Sequence, residues 1–239
     1  MSTTRGACWR CLFLQDKALY IHLIPLTQAS CFLSKLSLQV CIKLRIFNGG
    51  GEMNEELSGE KWGRKFPGST NTRDLSGNFR LAVEDFLSAM KEAGIRVAIN
   101  ATYRPPQRSY LMHYAWRLAR KQLDPQHIPK MAGVNIEWDH GEIDASVKAA
   151  KAMLIVLQIN NLPIKPALRS QHNAGLAIDM DLVWSGLVEV KDASGNLVKI
   201  ATLPRTGMNR QLIAVAATYG VKKYNGPGSD RPHWSNNGY

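Results

Sequence analysis

The amino-acid sequence predicts an α+β fold, a single domain in which a small antiparallel sheet is flanked by helices. Apolar residues at helical spacing dominate between positions 78 and 159, whereas short alternating stretches bounded by turn residues dominate after position 162. The strands therefore do not alternate with helices as the βαβ units of a parallel sheet would, and no internal repeat is visible. A further observation concerns cysteine. Cys8, Cys11, Cys31 and Cys41 all precede Met53, and the 187 residues from Met53 onward have none, so the main domain relies on neither a disulfide nor a thiolate. At 45% apolar residues, 239 residues are enough to bury a real core.

Residues 1–52 are expected to be an N-terminal extension and 53–239 the folded domain. The longest uncharged stretch, Ala18 to Ser34, contains His22, Pro25 and Gln28 and falls short of the roughly 20 apolar residues of a membrane span, so neither a transmembrane helix nor a signal peptide is expected. Cys8 and Cys11 have the spacing of a zinc or redox pair, but Cys31 and Cys41 do not supply its other half, which makes all four incidental. Asn48-Gly49-Gly50-Gly51-Glu52 reverse-translates to a purine-rich stretch resembling a ribosome-binding site, and translation is accordingly expected to begin at Met53.

Within the main domain, Phe79, Val83, Phe86, Leu87 and Met90 predict a helix over Asn78 to Ala93, ended by Gly94. Ile95, Val97, Ile99 and Ala101 alternate as a strand does. Pro105-Pro106 breaks the chain. A second helix is expected from Gln107 to Lys121, with Tyr110, Leu111, Tyr114 and Leu118 on one face, then a long loop from Asp124 to Gly141 and a third helix from Asp144 to Ile159. Strands follow at Leu176 to Val183, Leu187 to Lys191 and Leu197 to Ala201. The last two are joined by Asp192-Ala193-Ser194-Gly195-Asn196 and should form an antiparallel hairpin. Asn209 to Tyr219 reads as a final helix and Val221 to Tyr224 as a short strand before a glycine-rich tail.

The chain carries 30 Lys and Arg against 19 Asp and Glu, a net +11, of which +7 belongs to the main domain. Such a balance favours an anionic partner: nucleic acid, an acidic membrane or a bacterial wall. No nucleic-acid-reading motif is present and the basic residues are scattered, so nucleic acid is not expected.

Chemistry concentrates in Ser170-Gln171-His172-Asn173-Ala174-Gly175-Leu176-Ala177-Ile178-Asp179. His172 and Asp179 are seven apart, which puts them on opposite faces of an unbroken strand, or about 10 Å apart along a helix. Sharing one metal ion requires a reversal between them, and Gly175 can make it. Beyond the turn Ala177, Asp179 and Asp181 share a strand face, and spacing alone does not say which aspartate ligates. In the second cluster, Asp230-Arg231-Pro232-His233-Trp234, Pro232 opposes a helix and leaves Asp230 and His233 on a turn or strand entry. Two histidines and one carboxylate would leave a tetrahedral zinc ion one open position, as in catalytic sites, with Asp230 as candidate general base.

These two motifs, S-x-H-x-x-G-x-A-x-D and an acidic residue three before His-Trp, resemble the zinc D-alanyl-D-alanine metallopeptidases. That family includes D,D-carboxypeptidases, D,D-dipeptidases and L-alanyl-D-glutamate endopeptidases, with a hedgehog-like zinc fold. The resemblance runs from about Phe79 to the C-terminus. It implies one Zn2+ held by His172, Asp179 and His233 on the small sheet, and Asp230 as the base. Tyr103, Arg104 and Gln107 would be the upstream element whose arginine meets substrate or oxyanion, and Ser170 and Trp234 would support the metal or the substrate. Asp230 departs from the glutamate that many relatives carry, and the segment from Asp124 to Gly141 is longer than in a minimal member.

The implied activity is hydrolysis of a peptide bond in peptidoglycan stem peptides by a monomer. Made without an export signal, it would need delivery to the wall or periplasm by a holin or a secretion apparatus. The alternative is a non-catalytic zinc-stabilised module that binds wall or protein. Glu137-Trp138-Asp139-His140 lacks a partner at metal spacing, so Trp138 or His140 is expected to line the cleft rather than bind a second ion. His22, His113 and His127 have no supporting context, and aromatic and Met residues on the helices are expected in the core.

Overall fold

The structure, a computed structural model, describes residues 55–227 and 230–239; the readings for the N-terminal 52 residues lie outside these. In chain order the elements are β1 (Glu56–Leu57), α1 (Glu60–Arg64), α2 (Gly77–Glu92), β2 (Arg96–Ala101), α3 (Pro106–Ala119), β3 (Ile136–Glu137) and α4 (Ile143–Val156). They continue with β4 (Ala177–Val183), β5 (Val188–Lys191), β6 (Leu197–Ile200), α5 (Arg210–Thr218), β7 (Lys222–Lys223) and β8 (His233–Ser235). Helices stand beside a four-stranded antiparallel sheet, so the α+β expectation holds.

The main sheet has the order β2-β4-β8-β7 with every pair antiparallel. Its apolar side presents Ile178, Met180, Leu182 and Trp234 to α2 and α5, in a core that includes Phe79, Val83, Phe86, Met90, Leu212 and Val215. Period-two alternation then sends Asp179 and Asp181 to the other side of β4. The helix α2 forms as expected and stops where Gly94 takes φ +72°, a conformation that costs a residue with a Cβ.

A second core gathers α1, α3 and α4 around Leu111, Ala115, Leu118, Ala150 and Met153. Here α3 departs from the one-sided helix expected. Ser109 through Trp116 are all buried, because α4 packs along it and residues 125–138 close over the rest. The polar residues this encloses are paired: His113 Nδ1 lies 2.8 Å from Pro166 O, and Ser109 Oγ accepts from Asn173 Nδ2 at 2.9 Å.

The segment from Asp124 to Gly141 is also more ordered than a loop. It contains a 3-10 turn at Pro125–His127 and a bridge between Met131 and Val134, and β3 pairs in parallel with β1. Its prolines and glycine mark turns correctly, but between them single apolar residues (Ile128, Val134, Ile136) plug the core without any period long enough to read. Strands β5 and β6 pair antiparallel as expected and form a separate two-stranded sheet packed on the same core as α2.

Candidate metal centre

Three elements bring the centre together. The turn before β4 carries His172, β4 carries Asp179, and β8 carries His233. Asp179 and His233 are directly opposed in the β4–β8 register, so their side chains leave the same side of the sheet as neighbours. His172 lies in a 3-10 turn, Gln171–Ala174, that is closed by Gly175 at φ +68°. This is the reversal that the seven-residue separation demanded. A Cβ on Gly175 would stand 2.6 Å from Ser76 Oγ and 2.9 Å from Asp74 O, so the close approach to the start of α2 excludes a side chain as strongly as the backbone angle does.

The donor atoms form a nearly equilateral triangle. His172 Nε2 is 3.2 Å from Asp179 Oδ1 and 3.2 Å from His233 Nδ1, and His233 Nδ1 is 3.1 Å from Asp179 Oδ1. Ligands about 2.0 Å from a tetrahedral ion are themselves separated by about 3.3 Å, so this triangle has the edge length of one face of such a tetrahedron. All three residues are largely enclosed: His172 retains 2% and His233 6% of its surface, and the Asp179 side chain 18%.

Hydrogen bonding on the far sides of the rings fixes what faces inward. His172 Nδ1 lies 2.7 Å from Thr102 O, and His233 Nε2 lies 3.3 Å from Tyr239 O. Main-chain oxygens only accept, so each ring carries its proton on the nitrogen pointing outward and turns a lone pair toward the centre. With Asp179 Oδ1, three lone pairs converge within 3.2 Å. In that tautomer the group could hold a metal ion. Burial raises the Asp179 pKa, but when the rings instead present protons to it, their hydrogen bonds and charge outweigh burial and hold the carboxyl well below the ordinary range. No fourth His, Cys, Asp or Glu joins the group among the described residues.

Asp181, the alternative left open by spacing, points the same way two residues on but is exposed and accepts from Asn100 Nδ2 at 2.8 Å. Asp230 lies outside the triangle, yet near enough to feel it. Partial burial and the negative charge of Asp179 raise its pKa, against the lowering influence of His233, His172 and Lys223. Arg104 is half-buried next to the turn, its main-chain N–H donating to His172 O at 3.1 Å. Burial lowers its pKa, and the charges of Asp179 and Asp230 oppose that shift, which places its guanidinium within electrostatic reach of both carboxylates.

The remaining expected residues divide. Tyr103 lines a cleft together with Arg104. Gln107 lies instead beside Gly133. Ser170 caps the 3-10 turn by position, but its buried Oγ has no hydrogen-bond partner among the described residues. Trp234 is wholly buried on the core side of β8, 6.1 Å from the Phe86 ring, which removes it from contact with substrate; alternation along β8 turns it away from the centre as it turns His233 inward. Of the two residues offered for the cleft, Trp138 is 3% exposed in the helical core, with Nε1 donating to Tyr110 Oη at 3.0 Å. His140 is engaged with Ser58 Oγ, and no second metal group occurs among the described residues.

Sequence reasoning assigned no role to Thr102 or Asn173. Thr102 N donates to Ser69 O and its Oγ1 to Asn71 O, which fixes the carbonyl that orients His172. Asn173 Oδ1 accepts from Ser170 N, and its Nδ2 donates to Arg104 O and Ser109 Oγ, clasping the metal turn to the start of α3. A side-chain amide inside a turn motif was the available signal. Lys223 was also missed. Burial lowers its pKa to about 8 despite Asp230, Asp179 and Asp181, and its Nζ reaches Arg231 O and His233 O, tying down the segment that carries Asp230. No protein-family model matches the chain, and no curated protein matches it.

Proposed function

We propose that the protein is a zinc-dependent peptidase that hydrolyses a peptide bond in the stem peptides of bacterial peptidoglycan. The observation that carries this reading is the triangle of His172, Asp179 and His233 donor atoms at 3.1–3.2 Å with no fourth protein ligand among the described residues. A structural zinc site is normally closed by four protein ligands, whereas three leave room for reactants. When bound, zinc supplies a Lewis acid beside the scissile carbonyl.

The chain's own residues do the rest. Thr102 O and Tyr239 O hold the two imidazoles in the ligating tautomer. Asp230, its pKa raised by partial burial and Asp179, takes a proton from the attacking water and returns it to the leaving amine. Arg104 meets the negative charge that builds up on the substrate. The main domain's net charge of +7 suits a wall rich in carboxylates. Asp230 and Arg104 also weigh against a binding module that merely uses zinc for stability, since such a module needs neither a base nor a charge-stabilising cation.

The test is mass spectrometry of purified muropeptides after incubation with the zinc-loaded chain. Loss of a defined amino acid or peptide, abolished by His172→Ala and by Asp230→Asn, is the expected result. Intact muropeptides with a zinc-loaded, folded protein would leave the binding module as the better reading, and cleavage by metal-free protein would overturn the mechanism.

A further inference from the structure

Beside the metal turn lies a cleft of about 330 Å3 whose lining includes Ser69, Asn100, Tyr103, Arg104, Arg108 and Gln158 and contains no Asp or Glu. Arg104 and Arg108 stand on either side of Pro105 and Pro106, at the entry and in the first turn of α3. Among the described residues neither guanidinium has a carboxylate partner, Arg104 has no side-chain hydrogen bond, and Arg108 has one long contact, Nη1 to Gly63 O at 3.4 Å. Both are half-buried. Burial lowers the pKa of Arg108 and the neighbouring Arg104 charge lowers it further, so the two cations repel one another in a partly dehydrated place. Arg104 has Asp179 and Asp230 nearby to compensate; for Arg108 no carboxylate contributes.

A cation such as Arg108, kept without a counter-charge beside a second cation in a cleft, costs stability unless a ligand supplies that counter-charge. A planar guanidinium matches a carboxylate with two parallel hydrogen bonds. We infer that Arg108 forms a carboxylate-binding subsite beside Arg104 and the metal centre, and that it determines specificity by reading a substrate carboxylate removed from the scissile bond. The inference rests on the peptidase reading for the nature of its substrate. In a stem peptide that carboxylate is either the chain terminus or the α-carboxylate of a γ-linked glutamate, and the subsite would decide between trimming the end and cutting near the glutamate.

Equilibrium binding to the zinc-loaded full chain tests this without requiring turnover. Two pairs of probes are needed. One is N-acetyl-D-Ala-D-Ala and its C-terminal amide; the other is an L-Ala-γ-D-Glu peptide, amidated at its end, with the glutamyl α-carboxylate free or amidated. In one pair the free acid should bind about tenfold or more tightly than the amide. Arg108→Gln should weaken the acid to the level of the amide while leaving the amide and the zinc stoichiometry unchanged, and Arg108→Lys should restore part of the difference. Acid and amide binding alike in both pairs, failure of all four to bind at millimolar concentration, or equal losses for acid and amide in Arg108→Gln would overturn the inference. Muropeptide cleavage, measured separately, keeps the two readings apart: acid-selective binding without cleavage sinks the peptidase and leaves the subsite standing.

Discussion

His172, Asp179 and His233 differ from Arg104 and Asp230 in how the fold holds them. Each histidine is pinned by a main-chain oxygen, and Asp179 faces His233 by strand register, so the three donor atoms are set by backbone before any side chain chooses a rotamer. Arg104 and Asp230 have their backbones fixed, but among the described residues their charged ends have no hydrogen-bond partner and respond only to the surrounding charges. Metal ligands gain from rigidity, because an ion tolerates little misplacement. Groups that follow charge and protons through a reaction gain from being left unpaired until substrate arrives.

If that contrast is right, substitutions on the two sides should separate metal binding from turnover. The largest effect is expected from His172→Ala or His233→Ala: zinc affinity measured by competition with a chelator should fall by more than about a hundredfold, since loss of a ligand exceeds the loss of its supporting partner. Turnover should vanish with it. Asp230→Asn comes next, lowering kcat by roughly 10²–10⁴ with zinc affinity intact. Arg104→Gln should cost about 10²–10³ in kcat/KM, again with zinc retained. Asn173→Ala should cost about 1–3 kcal/mol in denaturant unfolding and about tenfold in zinc affinity, because it releases the clasp between the metal turn and α3. The smallest effect is a pH shift. Asp230 must be ionised to act as base, and its pKa is raised, so the rate is full above that pKa and lost as pH falls through it. The acid limb of kcat/KM should thus lie above the value of about 3.9 typical of a free aspartate. An acid limb at or below that value would remove Asp230 from the role.

Legibility in the sequence tracked the same physics. Helix α2, the strand β4 and the β5–β6 hairpin were readable because one face is buried and the other wet, which writes a period into the sequence. The reversal at Gly175 followed from geometry alone, since no regular element lets His172 and Asp179 meet. Helix α3 was misjudged as one-sided because burial all round erases the period, and residues 125–138 hide isolated core residues between turns. Trp234 was drawn toward the site by its place next to His233, although strand alternation argued for the core. Thr102 acts through its carbonyl, which no side-chain motif reports. Arg108 was overlooked because its significance lies in lacking a counter-ion, a property of the folded chain.

The central claim is that two imidazoles and one carboxylate hold a single metal ion with a coordination position to spare. Titration of zinc into the metal-free chain, followed calorimetrically in parallel with His172→Ala and Asp181→Asn, addresses it most directly. One ion per chain, lost in His172→Ala and unchanged in Asp181→Asn, is the predicted result. Absence of zinc binding in the folded wild-type chain, or binding that survives His172→Ala unaltered, would contradict it.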